Sequence, residues 1–172
     1  MKRFVSLAVL LLASATASAA GNSADVQAEM KKMQEAQARL MAAMMSEQKS
    51  RLGYRETIAA LQDAGRKRGW EIGPAVDMQD AMLKAGQKNA KPFTMLTLCR
   101  KDLAENLLKA QMASRAMPFV PCRMSVFEGG DGKVYIAKPN TDMMAQMAAP
   151  AFAPLLKQFA EEEKAVLAGI TE

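Results

Sequence analysis

The residue types able to do chemistry here are two thiols. Cys99 closes an apolar run, Phe93-Thr94-Met95-Leu96-Thr97-Leu98-Cys99, and Cys122 stands before another, Met124-Ser125-Val126-Phe127. A thiol can close a disulfide, hold a soft metal or carry thiol–disulfide exchange. The exchange signature of two cysteines three apart at a helix start is absent, since 99 and 122 lie far apart. Three readings stay open: a structural disulfide, a functional pair of converging thiols, or two unrelated buried thiols. A disulfide closing a loop of about 24 residues would contribute about 3–4 kcal/mol on the chain-entropy model.

Arg123 follows Cys122 directly, and an arginine beside a thiol favours thiolate or holds an anion. Asn140 lies with Tyr135, Lys138 and Asp142 at a polar corner, which also reads as a solvated strand edge followed by a helix cap. Cys99, Cys122, Arg123 and Asn140 are therefore the candidate ligand or metal site, and no residue is assigned as catalytic. The chain has 0 histidines, which excludes Ser-His-Asp and Cys-His machinery and histidine-based zinc, copper or haem sites.

Methionine is the other soft donor. The 15 methionines include Met30 and Met33, Met41, Met44 and Met45, and Met143, Met144 and Met147. Such thioether clusters suit Cu(I). The same positions fall on apolar helix faces, where methionine serves as an adaptable core filler, and that packing role is the stronger reading.

The elements that must position these groups follow from periodicity and turn chemistry. Lys2 and Arg3, an apolar run from Phe4 to Ala13 and Ala17-Ser18-Ala19 form a secretory-signal pattern over residues 1–20. Its apolar core is too short to cross a bilayer, which takes roughly 20 residues. A soluble, exported protein is expected, periplasmic in a Gram-negative host and not integral to the membrane. Without Lys2 and Arg3, the 23 basic residues become 21 against 18 acidic, a net +3, too mild to argue for nucleic acid.

Residues 21–41 read as a helical extension or linker. Val26, Met30, Met33, Gln37, Leu40 and Met44 follow a heptad-like 4-3-4-3-4 seam, which would lean on the domain, pair with a second copy or fray. Residues 42–172 are one α+β domain. Residues 42–50 are open between helix and strand. Then come a helix Tyr54–Arg68 ended by Gly69, a short strand Trp70–Ile72, and a helix Met78–Ala85 capped by Asp77. Phe93–Cys99 shows little alternation and is expected to be a strand buried on both faces. A helix Arg100–Met112, a glycine-turned hairpin through residues 123–137 and two helices split by Pro150 and Pro154 complete the chain. The expected order is strand-helix-strand-helix-strand-helix-strand-strand-helix, a mainly antiparallel sheet with helices packed on it.

Several of these residues fall into a familiar pattern. Tyr54-x-x-Thr57, Gly69-Trp70, Val76-Asp77-Met78-Gln79, Leu98-Cys99 and above all Pro121-Cys122-Arg123 before Val126-Phe127-Glu128 carry it, with Asp131 to Ile136, Asn140-Thr141 and Met144-x-x-Met147. In order and spacing, from about Met44 to Leu167, the chain resembles the domain-of-unknown-function family numbered 302. The resemblance implies a compact α+β domain with Ala43–Lys49 as its first strand. It also implies that both cysteines belong to the family's pattern, which sets a thiol site level with a structural disulfide. The family has no established activity to carry over. Val76 stands where relatives often place a histidine, and the helix Asp25–Leu40 lies outside the family's span.

Two functions therefore stand. The first is an exported protein that binds a soft ligand, Cu(I) or a reduced-sulfur compound, through Cys99 and Cys122. The alternative is a non-catalytic interaction or structural module with a Cys99–Cys122 disulfide, acting through the N-terminal helix or as a homodimer.

Overall fold

The computed structural model describes residues 19–116 and 118–172, so the expected signal segment lies almost wholly outside the described residues. The chain divides into two compact units, the second being Ala43–Glu172. In the first, α1 (Ala19–Ala43) is one unbroken helix whose Val26, Met30, Met33, Leu40 and Met41 are exposed.

The second unit is a six-stranded antiparallel sheet of β1 (Met45–Lys49), β2 (Glu71–Ile72), β3 (Val76–Asp77), β4 (Phe93–Cys99), β5 (Arg123–Glu128) and β6 (Val134–Pro139). The spatial order is β1-β6-β5-β4-β2, with β3 also paired to β4. Between the strands run α2 (Tyr54–Lys67), α3 (Met78–Lys84), α4 (Lys101–Ala113), α5 (Thr141–Met147) and α6 (Ala153–Leu167). This is the expected α+β architecture. The open stretch after α1 becomes a strand from Met45, because α1 runs on through Ala43.

Local chemistry sets the boundaries. Gly69, at φ +74°, ends α2 in the left-handed conformation that glycine adopts without strain. The Asp77 side chain accepts from the Asp80 N–H to open α3, and Asn140 accepts from the Met143 N–H to open α5. At Gly65 in α2 the helix comes close to the sheet, where a Cβ would stand 3.0 Å from Ile72 Cδ1 and 3.3 Å from Leu98 Cδ2. Gly73 and Pro74 break one edge into β2 and β3, which pair with opposite halves of β4.

One expectation fails. β4 alternates: Thr94, Leu96 and Leu98 are buried, while Phe93, Met95, Thr97 and Cys99 are only partly so. The cause lies in how the helices are distributed. Leu61 of α2 and Val166 and Leu167 of α6 pack with Leu96, Leu98, Met124, Val126 and Ile136 on one face of the sheet. A second cluster beside it joins Leu103, Ala104 and Leu107 of α4, Leu156 and Phe159 of α6, and Cys122. Among the described residues no helix is long and apolar enough to cross a membrane.

Candidate functional site

The two cysteines meet because β4 and β5 are antiparallel neighbours. The register pairs Thr97 with Arg123, and the Leu98 N–H donates to the Cys122 carbonyl at 3.1 Å. Just before β5, the Cys122 N–H donates back to Val120 at 2.9 Å, a tight turn that swings the chain toward the end of β4. Cys99 and Cys122 are joined in a disulfide, with Cα atoms 4.7 Å apart. The bond is embedded in the second cluster, where Val120, Met144, Ala145 and Phe152 pack against the same core.

The other predicted site residues do not gather around the sulfurs. Successive strand residues face opposite ways, so Arg123 is exposed on the opposite side of the sheet from Met124 and the core. Asn140 spends its side chain on backbone: Oδ1 accepts from the Met143 N–H, and Nδ2 donates to the Ala43 carbonyl at 2.9 Å. It orients α5, whose Met144 and Ala145 cover the cluster holding the disulfide. The polar corner divides as well. The Tyr135 hydroxyl donates to Asp131 at 2.9 Å, Asp142 accepts from Lys164 at 2.9 Å, and Lys138 points inward.

That inward lysine meets a residue the sequence reading passed over. Lys138 Nζ lies 2.8 Å from Glu163 Oε2, with side-chain exposures of 7% and 0%. Burial pushes the Glu163 carboxyl up from its ordinary range, against the pull of the Lys138 ammonium. Its second oxygen, Oε1, has no hydrogen-bond partner; the nearby Thr141 hydroxyl is used on the Pro139 carbonyl at 3.3 Å. Glu163 sits four residues after Phe159 and three before Val166, both on the buried face of α6. Helical spacing was the signal that could have found it.

Among the described residues no group of three or more His, Cys, Asp or Glu side chains is placed to hold a metal ion. A shallow groove between the end of α2 and the start of α4 is lined by Arg68, Arg100 and Lys101, but Glu71, Asp102 and Glu105 balance them. Arg68 and Arg100 are further engaged with Glu162, at 3.2 and 3.1 Å.

An antiparallel sheet, with α2, α4, α5 and α6 completing its apolar clusters and a disulfide between its central strands, defines a small α+β module with an internal covalent brace. The model of the domain of unknown function DUF302 matches residues 46–170, and the chain belongs to that family. The fold is similar to the crystal structure of an uncharacterized conserved DUF302 protein from Bacillus stearothermophilus, with a TM-score of 0.62 and 20% identity over 72% of this chain and 95% of that one. Among curated proteins, none matches the chain.

Proposed function

We propose that the protein is an exported, non-catalytic interaction module whose domain is braced by the Cys99–Cys122 disulfide. The observation that carries this reading is the placement of the bond, joined and packed among apolar side chains of α4, α5 and α6. A disulfide so placed holds β4, β5 and the helices above them together. The signal pattern of residues 1–20 supports export to an oxidising compartment, where such bonds persist. The exposed apolar stripe of α1, Val26, Met30, Met33, Leu40 and Met41, supports a role in contact with another protein surface. The test is a free-thiol count on protein isolated without reductant. Near zero thiols per chain is expected, and two per chain would sink the reading.

A second reading has one observation behind it. Met144 packs into the cluster that holds both sulfurs, so a reduced pair would offer two thiolates and a thioether to Cu(I) or a sulfur ligand. Native mass spectrometry of reduced protein with Cu(I) decides it. An unchanged mass, or equal binding by a Cys99→Ser/Cys122→Ser variant, removes it.

A further inference from the structure

The sheet has two faces, and the helices that complete the apolar clusters lie on one of them. The composition of the other follows from the register. Phe93, Phe127 and Tyr135 stand opposite one another across β4, β5 and β6. Met95, Ser125 and Ala137 form the next row, which reaches Glu47 on β1, and Arg123 stands beyond them opposite Thr97. Phe93, Met95, Phe127 and Tyr135 belong to neither core cluster.

The aromatic rings pack against one another. The Phe127 and Tyr135 rings stack at 5.8 Å and 25°, and Phe93 lies 6.2 Å from Phe127. Asp131 holds the Tyr135 hydroxyl, and the backbone of Gly129 fits against the ring, where a Cβ would stand 2.7 Å from Cε2. Three charged side chains lie on the same face, Glu47, Lys49 and Arg123, of which Lys49 pairs with Glu172. Glu47 and Arg123 are both exposed. The ion pairs around them, Lys49–Glu172, Lys91–Glu128 and Lys133–Asp131, use other groups.

We infer that this second sheet face, whose Phe93, Met95, Phe127 and Tyr135 are half-buried and lie outside the clusters formed with α2, α4, α5 and α6, is the contact surface between two copies of the chain, a deepening that rests on the interaction-module reading. Neighbouring strands lie about 4.8 Å apart and alternate residues about 6.7 Å apart along a strand, so Glu47 and Arg123 span a diagonal of about 12 Å. A twofold axis in the plane of contact that bisects this diagonal lays each Arg123 over Glu47 of the second copy. The same operation sets Tyr135 over Met95 and brings Phe127 within about 4 Å of its own counterpart. The surface is therefore self-complementary: apolar and aromatic at the axis, with an opposite-charge pair formed twice at its rim. Four strands by six residues make a patch about 20 Å on a side. It covers about 400 Å² on each copy, about 800 Å² in total, the size of a weak, concentration-dependent contact.

The experiment is sedimentation velocity on the oxidised, signal-processed chain at low salt, with circular dichroism to show that each variant is folded. A dimer is expected. Arg123→Glu and Glu47→Arg should each weaken it at least about tenfold by setting like charges together, and the doubly swapped variant should restore it. A chain monomeric up to about 1 mM overturns the inference. So does a dimer indifferent to both single swaps but lost in Met33→Glu on α1, which leaves the interaction-module reading standing. That reading fails by its own measure, free thiols in the native protein.

Discussion

Lys138 and Glu163 meet at 2.8 Å in the interior, at the point on α6 where one apolar cluster gives way to the other. Leu156 and Phe159 belong to the second cluster and Val166 and Leu167 to the first, with Glu163 between them. The pair ties the last helix to β6, next to the cap of α5.

Breaking that pair should cost far more than replacing it. Lys138→Met leaves a buried carboxylate without its counter-charge, and a loss of about 3–5 kcal/mol is expected. A Lys138→Met/Glu163→Leu double variant should recover most of this. Urea denaturation of the three proteins checks both expectations, and a double variant no better than the single one would refute the argument.

The same carboxyl predicts a pH dependence. The folded state raises the Glu163 pKa above its unfolded value, because burial disfavours the charged form. The folded state thus binds this proton more tightly. The contribution is fully present below the ordinary glutamate range, near pH 4.3, and is lost as pH rises toward the raised value. Subtracting the stability–pH curve of Glu163→Gln from that of the wild type should isolate a fall with rising pH in that window. A difference that rises instead would contradict the assignment.

Reduction should weaken the domain without unfolding the sheet outright. The disulfide closes a span of 23 residues, and the chain-entropy model gives it about 3–4 kcal/mol. Cys99→Ser/Cys122→Ser should match the reduced wild type in denaturant midpoint. Equal midpoints for oxidised and reduced protein would show that the bond contributes nothing.

Gly65→Ala tests the closeness of α2 to the sheet. The added carbon would stand 3.0 Å from Ile72 Cδ1 and 3.3 Å from Leu98 Cδ2, and overpacking of this kind costs about 1–3 kcal/mol. Ala59→Gly, on the exposed side of the same helix, lacks this clash and loses only helix propensity, about 1 kcal/mol. Thermal unfolding of the two variants gives the comparison.

The sequence by itself determined what is local. The caps at Asp77 and Asn140, the stop at Gly69, the hairpin through Gly129–Gly132 and the helix break at Pro150 and Pro154 each depend on a few neighbouring residues. All of them stand in the structure except the break at Pro154, which lies in the first turn of α6 and opens that helix. The family pattern around Pro121-Cys122-Arg123 also supplied the first strand, which periodicity left open.

The tertiary structure alone decided the pairings across distance. β4 looked buried on both faces because its sequence is apolar on both, yet the core clusters formed with α2, α4, α5 and α6 take only Leu96 and Leu98 of its interior and the strand alternates. Lys138 and Glu163 are 25 residues apart, and neither position names its partner until β6 and α6 are packed together. The thiols had three open fates, and it was the β4–β5 register with the turn at Val120–Cys122 that joined them. Spacing along a chain reports which side of an element a residue occupies. Which other element comes to face that side is fixed only when strand register and helix packing close the core.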